Sequence, residues 1–295
     1  MRTFLITGST GFLGAYLIQA CRKYGAVCGL SRTSHETTIR KKSYTVDITD
    51  QNGTMRAVAD CNPDVIIHAA ALTDVDYCER SPNEAWATNL LGTFNIAYAA
   101  EKLGARVIYV STDGVFNGAT GDYSETDTPK PINTYSTTKA AAEGVVASLC
   151  KDFAIVRTNF YGFNRRGRGL LNWLVGRLSE SGQVAAFYDV VFSPLEVGNL
   201  SDAIAELGAG NYVGILHLGS RTSISKYSFA CEVAEMLTRD PTRLVRRISV
   251  DEAKLAAPRP KNTSLNSSLA LSLLKVELQM PRDGIRKAMT AFNFR

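Results

Sequence analysis

An α/β fold, a doubly wound parallel sheet with a smaller C-terminal lobe, is what this 295-residue sequence predicts. Three observations predict it. Short apolar runs alternate with helix-patterned stretches through the first two-thirds of the chain, the rhythm of βαβ units. Two of these runs, ARVIYVS and FAIVRT, are apolar without alternation, as expected of strands covered on both faces. The first run ends in TGSTGFLG, glycine-rich turn chemistry that passes directly into a helix.

Taken in order, FLIT (4–7) is the first strand, and a helical stretch follows through Ala15–Tyr24. AVCGLS (26–31) and SYTVD (43–47) are the second and third strands. PDVIIHAAA is the next, its proline at the edge, where a missing N–H is tolerated. Ser81-Pro82-Asn83-Glu84 predicts a helix start, with serine at the N-cap, proline at the first helical position and glutamate completing a capping box. That helix runs to about Lys102 and stops at Gly104, and GILHLG (214–219) adds a further strand. Beyond Phe160 the periodicity loosens. A Gly/Arg loop, GFNRRGRG, leads into the amphipathic LLNWLVGRLSES, and from residue 223 helices flank the segment APRPKN. Residues 1–159 plus about 187–222 are expected to form a nucleotide-binding domain, and about 160–186 plus 223–295 the lobe.

Composition excludes several classes. Apolar residues at 45% and charged ones at 21% describe an ordinary globular protein, and no run approaches a membrane span. The start resembles a signal peptide superficially, but glycines and TGST interrupt it, so it reads as the first strand and turn of a cytoplasmic protein. Six cysteines and three histidines are scattered without metal-ligand spacing, which predicts reduced, buried thiols and no metal. The basic clusters RTSHETTIRKK and RRGRG lack the aromatic interleaving of a nucleic-acid site, and the net charge of +5 is mild.

The chemistry lies in three segments. Gly8, Gly11 and Gly14 form GxxGxxG after a strand: the first allows a tight turn, the second a close approach to a pyrophosphate, the third helix–strand packing. Thr10, Phe12 and Leu13 complete that Rossmann-type turn, whose helix N-terminus receives phosphates through free amides. Ser31 and Arg32 end the second strand where an acidic residue would select NAD, and they suit a 2′-phosphate instead, so NADPH is expected, with NADH the alternative. Asp47, with Ile48 beside it, is placed for the adenine edge, and Ala69, Ala70 and Ala71 allow close backbone approach. Thr112 follows an apolar strand, at the sheet edge where such folds bind ligands. Tyr135 and Lys139, four residues apart on one helix face, make a proton donor whose phenolate an ammonium could stabilise. Thr112 would orient a carbonyl, Tyr135 protonate it, and Lys139 lower the tyrosine pKa and hold a ribose.

These segments, with VDITD, HAAALTDVDYCE, WATNLLGTFNIA, YVSTDGVFNG, YSETDTPKPINTYSTTK, AIVRTNFYG and APRPKNTSLN, resemble the extended short-chain dehydrogenase/reductases, and most closely the dTDP-4-dehydrorhamnose reductase group. The resemblance runs from end to end. It implies NADPH-dependent reduction of the 4-keto group of a nucleoside-diphosphate 4-keto-6-deoxy sugar, with Thr112, Tyr135 and Lys139 catalytic. It also places Asn89 near the active-site end of its helix, Asp113 facing the sugar, Thr158 and Asn159 on the cofactor side, and Arg259 on the substrate. Arg166, Arg168 and Arg259 are candidates for the substrate diphosphate. The group's STDYVF reads STDGVF here, with Gly114, and its RTSW reads RTNF, with Phe160; both changes fall in the sugar pocket. Asp189 keeps the acidic residue before the proline turn of SPLEVGNLSDAI. Members often dimerise, so a homodimer is one expected assembly, with neither nucleic acid nor membrane as partner. Two alternatives remain: an epimerase or dehydratase, which would want an acidic residue after the second strand or Asp-Glu after Thr112, and a non-catalytic NADP-binding regulatory subunit resembling the methionine adenosyltransferase β subunit.

Overall fold

A computed structural model describes residues 1–33, 42–164, 167, 169–180 and 182–293. Its centre is a seven-stranded, all-parallel sheet in the order β11-β6-β5-β4-β1-β2-β3. The strands are β1 (Arg2–Thr7), β2 (Gly25–Ser31), β3 (Lys42–Thr45), β4 (Val65–His68), β5 (Arg106–Val110), β6 (Phe153–Thr158) and β11 (Gly214–Leu218). Chain order reverses between β1 and β4, and in an open parallel sheet that switch point is where the crevice for a ligand opens.

Alternate side chains of each strand enter opposite cores, as the two-residue strand period requires. Phe4 and Ile6 of β1 join Val65, Ile67, Val110 and Val156 on one face, beneath helices α1 (Phe12–Cys21) and α8 (Val197–Ala209). Leu5 points the other way, to Ile66, Tyr109 and Ile155. That face is covered by α2 (Gln51–Cys61), α5 (Gly92–Leu103) and α6 (Thr134–Leu149). Both faces being dry explains why the strands lack polar alternation.

A third core belongs to the lobe, where α7 (Leu170–Ser179), α9 (Lys226–Met236) and α12 (Pro281–Asn293) pack Leu174, Phe229 and Ile285 together. Short strand pairs stitch the pieces. β7 (Phe160–Tyr161) pairs with β10 (Leu195–Glu196), β8 (Val184–Phe187) with β13 (Val245–Ile248), and β9 (Val191–Phe192) with β12 (Ile224–Ser225). The C-terminal part is less separate than expected: Ala270 of α11 (Ser268–Leu273) and Leu278 join the core of the large sheet, so residues 268–278 return to the first domain before α12 re-enters the lobe.

The helix ending at Gly104 does so through a left-handed residue at φ 71°, the conformation glycine adopts without strain. Its expected beginning is built differently. After α3 (Val75–Arg80) comes one α-turn, α4 (Pro82–Ala85), then a π-helical stretch at Trp86–Leu91 before α5. The capping box at Ser81 does not form: the serine side chain makes no cap bond, and the Glu84 carboxylate accepts the Tyr77 hydroxyl at 2.9 Å instead. No helix among the described residues is long and apolar enough to cross a membrane, and no group of metal-ligating side chains occurs among them. Five of the six cysteines are buried.

Candidate active site

A cleft of about 700 Å³ opens at the switch point, between the carboxyl edge of the sheet and the lobe. Its sheet side begins with the glycine turn. Gly8 has φ +67°, and a Cβ there would meet the Ala70 backbone at 3.0 Å. A Cβ on Gly11 would stand 2.9 Å from the Gly8 carbonyl oxygen, and one on Gly14 only 2.1 Å from it. Helix α1 starts at Phe12 without a side-chain cap, so its first amides and its positive dipole end face the cleft uncompensated. Glycines shaped for backbone approach and an uncapped helix end fit a dinucleotide pyrophosphate. Gly8, Gly11, Phe12, Leu13, Gly14, Ala69 and Ala71 line this half; Thr10 and Ala70 belong to the same turns without lining it. Replacing Gly14 by alanine should cost about 1–3 kcal/mol of stability by overpacking and weaken NADPH binding with it. Unchanged urea melting and unchanged NADPH affinity would contradict the role given to this close contact.

Helix α6 brings the proposed chemistry. Asn133 caps it by accepting the Ser136 amide at 2.9 Å, while its own amide donates to the Pro258 carbonyl at 3.0 Å. Tyr135 therefore enters the cleft from the first turn, and Lys139 follows one turn later, both lining it with Thr112. Three residues expected to act together are thus in one cleft. Their electrostatics differ from expectation. Burial is the main influence on Tyr135 and pushes its phenol above the ordinary range, against an opposing hydrogen bond with Thr112. The Lys139 ammonium donates to the Val110 carbonyl at 2.8 Å and lies 4.1 Å from the centroid of the Tyr109 ring. Burial pulls Lys139 itself down to about 7, with Glu143 acting the other way.

Several other side chains are occupied by the protein. Asn89 clamps the loop after β4, accepting the Leu72 amide at 2.8 Å and donating to the Leu72 carbonyl and Thr138 hydroxyl, so its side chain holds that loop rather than lining the cleft. Asp47 accepts the Thr49 amide and hydroxyl, and the Ile48 carbonyl accepts from Asn95, so this pair closes a turn outside the cleft. Ser31 donates to the Thr33 carbonyl, and Arg32 is exposed. Arg166 and Arg168 lie outside the described residues. Arg259 lines the cleft, but its guanidinium is tied to Asp76 at 2.9 Å and to the Ala257 carbonyl, which holds Asp76 below the usual carboxylate range. Asp189 caps the Ser249 turn, accepting that serine's hydroxyl at 2.6 Å.

Asp113 is buried at the foot of the cleft. Its carboxylate accepts from the Asn159 amide at 3.1 Å, the Thr263 hydroxyl at 2.7 Å and the Thr112 hydroxyl at 3.2 Å. Rather than simply facing a ligand, it joins the sheet edge to the lobe. Burial raises its pKa against these hydrogen bonds and the attraction of Lys226. Gly114 is closely packed: a Cβ would meet the Ser136 hydroxyl at 2.8 Å. Phe160 lines the cleft and leans on Phe12, ring centroids 5.7 Å apart.

From the lobe the sequence reading named Arg259 but missed Lys226 and Thr263; it also missed the anchor Asn133 and Phe192, which packs in the lobe core although 187–222 was expected in the first domain. One signal was available: Lys226 follows Ser225, an evident N-cap, and a lysine in a helix's first turn opposes the dipole.

A family described as "RmlD substrate binding domain" matches residues 1–294. The chain belongs to the RmlD family. This RmlD-family chain is 32% identical over 291 residues to a dTDP-4-dehydrorhamnose reductase of Mycolicibacterium smegmatis, covering 97% of this chain and 85% of the relative. It is 29% identical to the methionine adenosyltransferase 2 subunit beta of Bos taurus, over 99% of this chain and 88% of the relative. Among solved structures, it resembles the dTDP-4-dehydrorhamnose reductase of Bacillus anthracis in complex with NADP, with a TM-score of 0.88 and 26% identity, covering 98% of this chain and 99% of the other.

Proposed function

We propose that this RmlD-family protein reduces the 4-keto group of a nucleoside-diphosphate 4-keto-6-deoxy sugar with NADPH. The observation that carries the reading is the convergence of Thr112, Tyr135 and Lys139 on the cleft that also holds the Gly8–Gly14 cradle. NADPH, when bound, supplies a hydride for the keto carbon. The glycine turn and the α1 N-terminus hold its pyrophosphate, Ala69 and Ala71 accept its close approach, and Ser31 with Arg32 reads the 2′-phosphate. Tyr135 stays protonated at neutral pH because burial holds its pKa up, and so has a proton to give the carbonyl oxygen as charge develops there. Thr112 orients that oxygen. Lys139, fixed by Val110, sits one turn along the helix to hold the nicotinamide ribose. The narrow cleft keeps reactants oriented, which supplies much of the acceleration in such sites.

Arg259 is the described guanidinium best placed for the diphosphate. Arg259→Ala should raise KM for the sugar nucleotide about tenfold, the worth of a charge-assisted hydrogen bond, with KM for NADPH unchanged. An unchanged sugar-nucleotide KM would assign Arg259 only to Asp76. The function itself is tested by NADPH consumption with dTDP-4-dehydrorhamnose. Sustained, substrate-dependent oxidation is expected.

The likeness to the methionine adenosyltransferase β subunit supports a second reading, a regulatory subunit that binds NADP. Stable association with a methionine adenosyltransferase, without turnover of any sugar nucleotide, would favour it. An epimerase or dehydratase is disfavoured by Gly114 in the position of the second acidic residue and by Ser31-Arg32 at the end of β2. Operation in the cytoplasm as a homodimer is the accompanying proposal.

A further inference from the structure

Lys226 stands on the lobe side of the cleft wall. It is the first residue of α9, directly after the N-cap Ser225, where the helix's positive end disfavours a cation. Its side chain lines the cleft from the lobe, with Nζ 3.3 Å from the centroid of the Phe192 ring. Burial penalises the ammonium and pulls its pKa to about 8, and the attraction that opposes this comes from Asp113. That carboxylate already accepts from Asn159, Thr263 and Thr112. Among the described residues none accepts a hydrogen bond from the Lys226 ammonium. Lys226 is half-buried at the cleft wall, its ammonium over the face of the Phe192 ring, so its N–H donors are open to an acceptor on a ligand in the cleft.

The position says which part of a ligand. Lys226 attracts Asp113, and Asp113 is bonded to the hydroxyl of Thr112, the group that meets the reacting carbonyl. Lys226 is thus one residue removed from the reacting end of the substrate, on the lobe side. We infer that Lys226 is a substrate-positioning residue, donating a hydrogen bond to a sugar oxygen that flanks the carbonyl being reduced. The inference rests on the reductase reading and adds to it a sugar contact made from the lobe. It also gives the substrate a required feature: an oxygen, not a methyl group, on the ring position facing α9.

Binding of dTDP-4-dehydrorhamnose and of dTDP alone, each in the presence of NADP⁺ so that no turnover occurs, separates sugar from diphosphate. Calorimetry on wild type, Lys226→Met and Lys226→Arg is the measurement. Lys226→Met should weaken the sugar nucleotide about tenfold, the loss expected for a charge-assisted hydrogen bond, while dTDP and NADPH affinities stay as in wild type. Lys226→Arg should recover most of the loss, and the methionine variant should still melt cooperatively with wild-type NADPH affinity, since methionine keeps the packing on Phe192. Equal weakening of dTDP and of the sugar nucleotide would overturn the sugar assignment, as would unchanged binding of both. A lower melting temperature with unchanged binding would make Lys226 structural. A wild type that binds NADPH but neither dTDP nor dTDP-4-dehydrorhamnose would contradict the reductase reading, and the inference with it.

Discussion

Tyr135→Phe should lower kcat with dTDP-4-dehydrorhamnose by about 10²–10⁴-fold, the usual contribution of a positioned proton donor. The substitution removes one hydroxyl from a side chain that lines the cleft on the first turn of α6. No described side chain depends on that hydroxyl for the helix cap, which Asn133 makes, so α6 and the fold stay intact. NADPH affinity should therefore be near wild type, and the loss should appear in kcat rather than in KM. A phenylalanine variant that retained a third or more of wild-type turnover would remove Tyr135 from the mechanism.

Glu143→Ala should cost about 3–5 kcal/mol of stability, the penalty for leaving a buried charge unpaired. Glu143 and Arg157 are both buried, their side chains joined at 2.8 Å across α6 and β6. The Arg157 guanidinium also stacks on Phe116 at 5.1 Å and has His217 within 3.5 Å, and burial pulls His217 down to about 4, so that ring stays neutral. None of these neighbours can replace a carboxylate. The effect reaches the site because Ser111, the residue before Thr112, donates its hydroxyl to Glu143. Urea unfolding gives the number, and a loss below about 1 kcal/mol would mean that the arginine finds another partner or water. Glu143→Gln keeps the acceptor for Ser111 and should lose less.

Why some of this was legible in the sequence and some was not follows from distance along the chain. The glycine cradle is one seven-residue turn, and Tyr135 and Lys139 are one helical turn apart, so local geometry alone places them. The sheet was legible because strands dry on both faces carry continuous apolar runs, from FLIT to GILHL. Pairings across the fold left no such trace. Asp76 with Arg259, Asp113 with Thr263, and Glu143 with Arg157 are joined by tertiary packing alone. The capping-box signature at Ser81 misled because Tyr77, one turn back, competes for Glu84. The π-helical stretch at Trp86–Leu91 likewise has no residue-level signal, although it carries the Asn89 that clamps Leu72. The contacts of the Lys139 ammonium with the Val110 carbonyl and the Tyr109 ring are tertiary too, and spacing along the helix gave no sign of them.

The most direct test of the account is where the hydride goes. Turnover of dTDP-4-dehydrorhamnose with NADPH carrying deuterium at both C4 positions of the nicotinamide, followed by mass spectrometry and NMR of the product, should show one deuterium at sugar C4 for each NADPH consumed. NADPH consumption without deuterium at C4, or tight NADPH binding with no product at all, would contradict reduction at that carbon.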